Sequence, residues 1–413
     1  MENQSTLGNQ PVQKYSLGAK IAAVALIVIQ FTQALASPAL ASIQAAFPNV
    51  DTTIIQQIIA LPTMLMVFSS MFCGRLIAAI GYRKTSYIAI VLSLVGGFMP
   101  AIMHSSIWVI LFWRAIFGLG YGLTFALCVA VIGAAWVGQE QRILMGAKTG
   151  IGALCAMGYS TISGYLAQMS WEYVFYAYLI IIPLGLIIVA WLPEPPRPQP
   201  KKKTATDVPE SKLAGFGSFY FMFVILACIS VAFTAAFMNN SAMIVVGTGM
   251  GEPKNVGFVM TIFSLGMGLG GLSYAIVKKI MKRFMLTYLF LVFGINMWIM
   301  CTTDSLAVFT INAFIHGFLF GGINPEYEFI AINSVKSRSR MEDGVAIYVA
   351  LQGIGQFIGP FLCAGLAVLF GLTGVYYQLN ATWPILLASG IVLLIIGIMK
   401  KRDPAAPRPD QVD

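Results

Sequence analysis

Of the 413 residues, 58% are hydrophobic and 10% charged, against about 25% charged in an ordinary soluble domain, which excludes a water-soluble globule and makes lipid the solvent. The formal net charge of +9 does not point to nucleic acid, because the cations fall in short segments between apolar runs rather than in one basic patch.

Apolar runs of the roughly 20 residues needed to cross a bilayer recur along the chain. They predict spans at 20–44, 54–77, 85–103, 107–135, 143–168 and 173–192, then at 214–246, 255–277, 284–302, 306–333, 344–370 and 374–399. The expected fold class is an all-α membrane protein of about twelve transmembrane helices in two pseudo-symmetric six-helix bundles. The first run is full length, lacks an evident cleavage site and follows a polar stretch with Lys14 and Lys20, so it is read as a retained span rather than a cleaved signal peptide.

The composition breaks at Pro193-Glu194-Pro195-Pro196 and again at Lys201-Lys202-Lys203, which reads as an extended, solvated cytoplasmic linker over residues 193–212. It separates a first bundle, residues 1–192, from a second, residues 213–413, that ends in a cytoplasmic tail. With the N-terminus in the cytoplasm, alternate loops carry Arg83 and Lys84, Arg142, Lys201 to Lys203, Lys278 to Arg283, Lys336 to Arg340 and Lys400 to Arg402. The intervening loops hold Lys254 with Asp51, Glu172, Glu252 and Asp304. This positive-inside pattern predicts both termini in the cytoplasm, an even number of crossings and, for a bacterial chain, the plasma membrane.

Sliding one half along the other by about 202 residues sets Phe31-Thr32-Gln33-Ala34 against Phe233-Thr234-Ala235-Ala236, and Gly150 to Gly164 opposite Gly353 to Gly365, as expected of internal duplication. Glycines at such spacings first of all let helices approach closely in lipid. Six cysteines, Cys73, Cys128, Cys155, Cys228, Cys301 and Cys363, lie in or beside spans without C-x-x-C spacing, so neither disulfides nor a metal site is expected. There is no Gly-x-x-x-x-Gly-Lys-Ser/Thr signature, no ordered Ser/His/Asp set and no expected cofactor, which disfavours ATP-driven pumping and an intramembrane hydrolase.

The segment Gly74-Arg75-Leu76-Ile77-Ala78-Ala79-Ile80-Gly81-Tyr82-Arg83-Lys84, placed after the second span, resembles the signature loop of the major facilitator superfamily, Gly-x-x-x-Asp-Arg-x-Gly-x-Arg-Arg. Gly74, Gly81, Arg83 and Lys84 are in register and are the expected gating-loop residues, while Ala78 and Ala79 replace the usual acidic and basic pair. Arg114-Ala115-Ile116-Phe117-Gly118-Leu119-Gly120 is similar to the family's Arg-x-x-x-Gly-x-Gly motif. The run from Gly150 to Gly164, followed by Trp171 to Phe175, resembles its fifth-helix antiporter motif, with Tyr159 where a proline is usual. The resemblance implies a secondary carrier that rocks two halves about a central site formed by helices one, four, seven and ten.

Charges inside spans are costly and are functional candidates by default. Arg114 can pair with a carboxylate, bind an anionic substrate, polarise a proton site or brace helices through carbonyls. His316, its counterpart in the repeat, is either a proton carrier or a neutral core histidine. Of Glu326 and Glu328, only one should face the cavity, since residues two apart on a helix point in different directions; Glu326, directly after Pro325, is the first choice. The alternative is that both are solvated or paired with Arg338 or Arg340. Gln30, Gln33, Asn239, Asn240, Gln352 and Gln356 gather at comparable depths, and with Tyr121, Tyr159, Tyr327 and Tyr348 they can line a pocket for an amphipathic molecule.

The expected function is a secondary active transporter for a small organic solute, coupled to protons, monomeric, with efflux by antiport favoured over uptake. Two alternatives stay open: an organic-anion carrier using Arg114, His316 and Lys148, and a non-transporting membrane sensor or scaffold.

Overall fold

In lipid every backbone N–H and C=O must find its partner within the segment, so each apolar run folds as a helix. The computed structural model describes residues 15–136, 138–196, 218–335 and 341–399, and among the described residues the chain is helical without a strand. α1 spans Leu17–Ala46 and tightens into a 3-10 stretch at Phe31–Ala39, where Pro38 lacks an N–H for the α pattern. α2 (Thr52–Ile80) begins on Asp51, whose carboxylate accepts from the Thr53 amide at 2.7 Å. α3 (Tyr82–Ala101), α4 (Ile107–Ala135), α5 (Gly138–Met169) and α6 (Tyr173–Trp191) complete the first bundle.

α7 runs as Ser218–Thr234 and continues as Ala236–Gly247; it is followed by α8 (Pro253–Met281), α9 (Met285–Thr302), α10 (Leu306–Ser334), α11 (Met341–Leu369) and α12 (Tyr377–Met399). Among the described residues ten stretches are long and apolar enough to cross a membrane; one, Pro253–Thr302, contains both α8 and α9 joined by the 3-10 turn Lys282–Phe284. α5 is less apolar but has 32 residues. The predicted spans thus correspond to the twelve helices within a few residues at each described end. The predicted start of the seventh span, at residue 214, and most of the linker lie outside the described residues.

The two bundles repeat one packing scheme. α2 lies against α4 as α8 lies against α10, and α1 against α5 as α7 lies against α11. The halves meet along α5 with α8 and α2 with α11, again a symmetric pair of contacts. Leu186, Leu226 and Ile395 remain more than half exposed on the outer surface, where lipid is the solvent, whereas Arg114, Tyr178 and His316 are wholly buried.

With an even number of crossings, Leu17 and Met399 share one side of the membrane, here called the terminal face, and the opposite side is the distal face. Near the distal face α5 and α8 touch: a Cβ on Gly164 would stand 2.7 Å from the Gly257 Cα. Nearer the terminal face a Cβ on Gly150 would meet nothing within 4 Å, while one on Gly268 of α8 would still stand 3.0 Å from the Ala153 Cβ of α5. A groove of 240 Å³ lies along this stretch between Leu154 and Leu269.

Candidate functional site

The distal seam is closed by amides. Gln56 on α2 donates from Nε2 to Asn240 Oδ1 on α7 at 2.9 Å, Asn240 Nδ2 donates to Gln378 Oε1 on α12 at 2.8 Å, and Gln378 Nε2 returns to Gln56 Oε1 at 3.1 Å. All three side chains are buried, so the ring joins the halves where water is absent and each bond matters. Nearby, the Thr161 and Thr261 hydroxyls lie 2.6 Å apart, linking α5 to α8, and Gln168 Nε2 donates to Glu252 Oε2 at 2.7 Å. Asn240 therefore belongs to the distal seam rather than to a mid-depth pocket; Asn239 is buried beside it.

Below the seam, one face of α4 carries Arg114, Phe117, Tyr121 and Phe125 at helical spacing. Arg114 donates from Nε to the Ile58 carbonyl of α2 at 2.8 Å, from Nη1 to Tyr178 Oη of α6 at 2.9 Å and from Nη2 to Gln33 Oε1 of α1 at 2.7 Å. Its guanidinium carbon sits 4.4 Å from the Phe117 ring centre, a cation–π contact. Gln33 in turn donates to the Ile59 carbonyl at 2.9 Å. Of the alternatives raised by the sequence, the geometry is that of a brace, though it ties α4 to α1, α2 and α6. Tyr121 stacks on Phe117 at 6.0 Å and is half-buried. Tyr159 donates to the Val28 carbonyl of α1 at 3.2 Å. Gln30 is buried, and its Oε1 has no protein partner among the described residues.

In the second half, His316 is boxed by aromatic rings, with Phe237 at 4.7 Å and Phe293 at 4.9 Å. Its Nδ1 lies 3.2 Å from Asn296 Oδ1 and its Nε2 2.9 Å from the Thr234 carbonyl. Asn296 is held by Asn312. Both ring nitrogens face protein oxygens, and a neutral imidazole, with its single N–H, donates to one of them.

The sequence's first choice of carboxylate on α10 is Glu326. Glu326 points into the packed α8–α10 contact, where Oε1 meets Lys278 Nζ at 2.8 Å and Oε2 accepts from Tyr274 Oη at 2.8 Å. At about 100° per residue the next-but-one position turns away from α8, and Glu328 is exposed. Lys148 is half-buried with Nζ 4.2 Å from the Phe125 ring centre. On the α11 side, Gln352 donates to Asn324 Oδ1 at 3.1 Å and to Tyr348 Oη, Tyr327 is hydrogen-bonded to Ser230, and Gln356 is half-buried. The proposed partners Arg338 and Arg340 lie outside the described residues.

The gating segment is also redrawn. Gly74 to Ile80 continue α2, and Arg83 and Lys84 open α3, so the turn is Gly81 alone, at φ 90°, a left-handed position that favours glycine. Glu194 accepts from the backbone amides of Tyr82 at 2.9 Å and Arg83 at 2.8 Å, and Arg83 Nε donates to the Leu192 carbonyl at 2.7 Å. A carboxylate at this helix N-terminus satisfies amides that have no partner inside the helix. The first residues of the linker are therefore docked on the turn, not free in solvent; residues 197–217 lie outside the described residues.

The family model of the Major Facilitator Superfamily matches residues 22–341. The chain belongs to the major facilitator superfamily. This makes it a membrane transporter rather than an enzyme. The multidrug efflux pump Tap of Mycolicibacterium fortuitum is 27% identical over 161 residues, covering 38% of this chain and 38% of that protein; the aligned part thus spans less than half of either. Among solved structures, a D-xylose–proton symporter superposes with a TM-score of 0.71 at 16% identity, over 92% of this chain and 97% of its own. The nucleoside transporter NupG gives 0.69 at 13% identity, over 92% and 98%. The inward-open xylose transporter XylE of E. coli gives 0.68 at 14%, over 91% and 94%. At such identities the likeness is one of fold.

Several partners escaped the sequence reading: Gln56, Gln378, Tyr178, Lys278, Tyr274, Asn296 and Glu194. Gln56 and Gln378 carried a usable signal, an amide near the end of an apolar run, where a polar side chain has reason to bond across helices. Lys278 was assigned to a loop, but it sits in the last turn of α8.

Proposed function

We propose that this superfamily member is a secondary active transporter that exports a small amphipathic organic solute by antiport with protons. Its two bodies, residues 1–192 and 213–413, rock about the central cavity and are joined by the linker at 193–212. The observation that carries the reading is the one-sided contact between the halves. Amides and glycines hold them together at the distal face, while towards the terminal face no ion pair between the halves is formed by Lys148 or Glu328 among the described residues. Alternating access requires such a state and its reverse. The distribution of cations puts the terminal face in the cytoplasm of a bacterial plasma membrane, which makes this the inward-open state. The partial likeness to a multidrug efflux pump and the aromatic face of α4 support an amphipathic cargo and export.

The organic-anion carrier draws support from Lys148 alone, because Arg114 and His316 already have protein partners. In proteoliposomes holding a pH-sensitive dye, an imposed proton gradient should drive amphipathic solutes against their own gradient with opposite proton movement. Solute flux that ignores the gradient and the pH overturns the coupling. A protein that moves no member of a broad panel and copurifies with a fixed partner is a sensor or scaffold instead.

A further inference from the structure

The two halves share one plan but differ where the first and last helices of each approach one another. In the first half α1 packs on α6, and a Cβ on Gly18 would stand 3.0 Å from the Trp191 ring. Their counterparts, α7 and α12, are parted by a groove of 720 Å³ that is also bounded by Leu286 and Phe290 of α9 and by Tyr327 of α10. The offset of about 202 residues that relates the halves sets Leu186 and Trp191 opposite Ala388 and Leu393. Both residues of α12 are smaller than their counterparts, and both line the groove. The gap thus follows from side-chain size at matching positions.

The walls are apolar apart from Ser230, Ser389 and Tyr327, and the Ser230 and Tyr327 hydroxyls bond each other. Leu226 and Val392 at its edges are more than half exposed, so the groove opens sideways onto hydrocarbon. Water gains nothing there. Between Pro384 and Ile396, which mark its extent on α12, the helix rises about 18 Å, close to the roughly 15 Å of hydrocarbon in one leaflet. Ile396 stands just before Met399, so the groove lies in the leaflet of the terminal face.

Cations stand at the terminal-face end of the groove. The turn Lys282–Phe284 is fastened to α12, since a Cβ on Gly397 would lie 2.8 Å from the Phe284 ring. The Arg283 guanidinium carbon is 4.9 Å from the centre of that ring. Among the described residues neither Lys282 nor Arg283 enters an ion pair. The sequence adds Lys400, Lys401 and Arg402 directly after α12. Positive charge at headgroup level above an apolar groove of leaflet depth complements an anionic phospholipid. Residues 403–413, with three aspartates, three prolines and no apolar side chain larger than Val412, do not suit such walls.

We propose that the groove between α7, α9 and α12 holds one acyl chain of an anionic phospholipid from the terminal-face leaflet, with its headgroup on Lys282 and Arg283. The lipid takes the place that Trp191 takes in the first half and ties α7 to α9 and α12. The site faces the bilayer rather than the seam between the halves, so it does not depend on which solute is carried or in which direction.

The experiment uses the full chain in nanodiscs of phosphatidylcholine containing some phosphatidylglycerol with a diazirine midway along one acyl chain. Illumination should label α9 near Phe290 and α12 between Pro384 and Leu393, about tenfold more heavily than the same diazirine chain on phosphatidylcholine. Lys282→Gln with Arg283→Gln should bring the two headgroups level, and Lys282→Arg should keep the difference. Ala388→Trp fills the groove and should lower labelling by both lipids; Leu186→Trp, at the matching place of the first half, should leave it unchanged. In detergent, phosphatidylglycerol should raise the unfolding midpoint by about 4 °C or more, whereas inorganic phosphate and short-chained dihexanoyl phosphatidylglycerol should not. The proposal is overturned if the label falls outside the groove, if both headgroups label the wild type equally, if phosphate alone stabilises, or if a folded Ala388→Trp variant keeps the label. Where Ala388→Trp does not fold, the labelling pattern of the wild type and its loss of headgroup preference in the glutamine pair decide.

Discussion

Gln56 Nε2 donates to Asn240 Oδ1 at 2.9 Å across the seam between the two halves, at a sequence separation of 184. The bond exists only while the distal face is closed. Asn240→Leu removes two of the three bonds in the Gln56–Asn240–Gln378 ring and leaves buried amides unpaired, at about 1–3 kcal/mol each. The population should move towards the distal-open state by about tenfold or more. Spin labels at Ala46 and Gly247 should report a longer distance in the variant. Gln57→Leu is the control, since the Gln57 side chain bonds within its own helix and should leave that distance unchanged.

Arg114→Ala should lower thermal stability far more than it lowers solute affinity. It leaves the Ile58 carbonyl, Tyr178 Oη and Gln33 Oε1 without their donor in a dry interior, a loss of about 2–5 kcal/mol. Tyr178→Phe removes one of these bonds and should cost about 1 kcal/mol. Arg114→Lys should rescue only in part, because an ammonium cannot copy the planar fork that reaches three helices. Unfolding in detergent followed by intrinsic fluorescence reads all three; a stable Arg114→Ala variant with abolished binding would restore the anion-site reading.

The Lys278–Glu326 pair at 2.8 Å is suited to a double-mutant cycle. Lys278→Met strands a buried carboxylate and should destabilise strongly, and Glu326→Gln should do so less. The double variant should be less damaged than the sum, with a coupling of about 1–3 kcal/mol. Additive losses would mean that Glu326 is sustained by Tyr274 rather than by the lysine.

Gly164→Val should keep α5 and α8 from meeting at the distal face. Even a Cβ would lie 2.7 Å from the Gly257 Cα, and backbone on one side of the contact cannot swing away as a long side chain would. Transport should fall by an order of magnitude or more, while Gly150→Val, where the Cβ position is open, should be tolerated. Initial rates in proteoliposomes, corrected for the amount of protein inserted, distinguish the two.

The helical spans were legible because a bilayer leaves a backbone no other choice: apolar length alone marks Ile107–Ala135 as a crossing. Arg114 stood out for the same reason, as a charge where charge is costly, but its role could not be read. Its three partners come from α1, α2 and α6, at sequence separations of 81, 56 and 64 residues. Which of Glu326 and Glu328 packs against α8 was not legible either, because a proline's position says little about which face of α10 lies there. The gating segment was recognised by its glycines, yet the docking of Glu194 on it depends on where α6 ends in space.

By itself, the sequence determined that this chain folds in lipid as two similar sets of helices, since hydrophobic length and the placement of cations are local properties that no packing can reverse. Tertiary structure decided which polar groups are already matched and which are left over. That sorting turns on distances of a few ångströms between helices remote in the chain, as when Gln56 meets Asn240 and Gln378, and Arg114 meets Ile58, Tyr178 and Gln33.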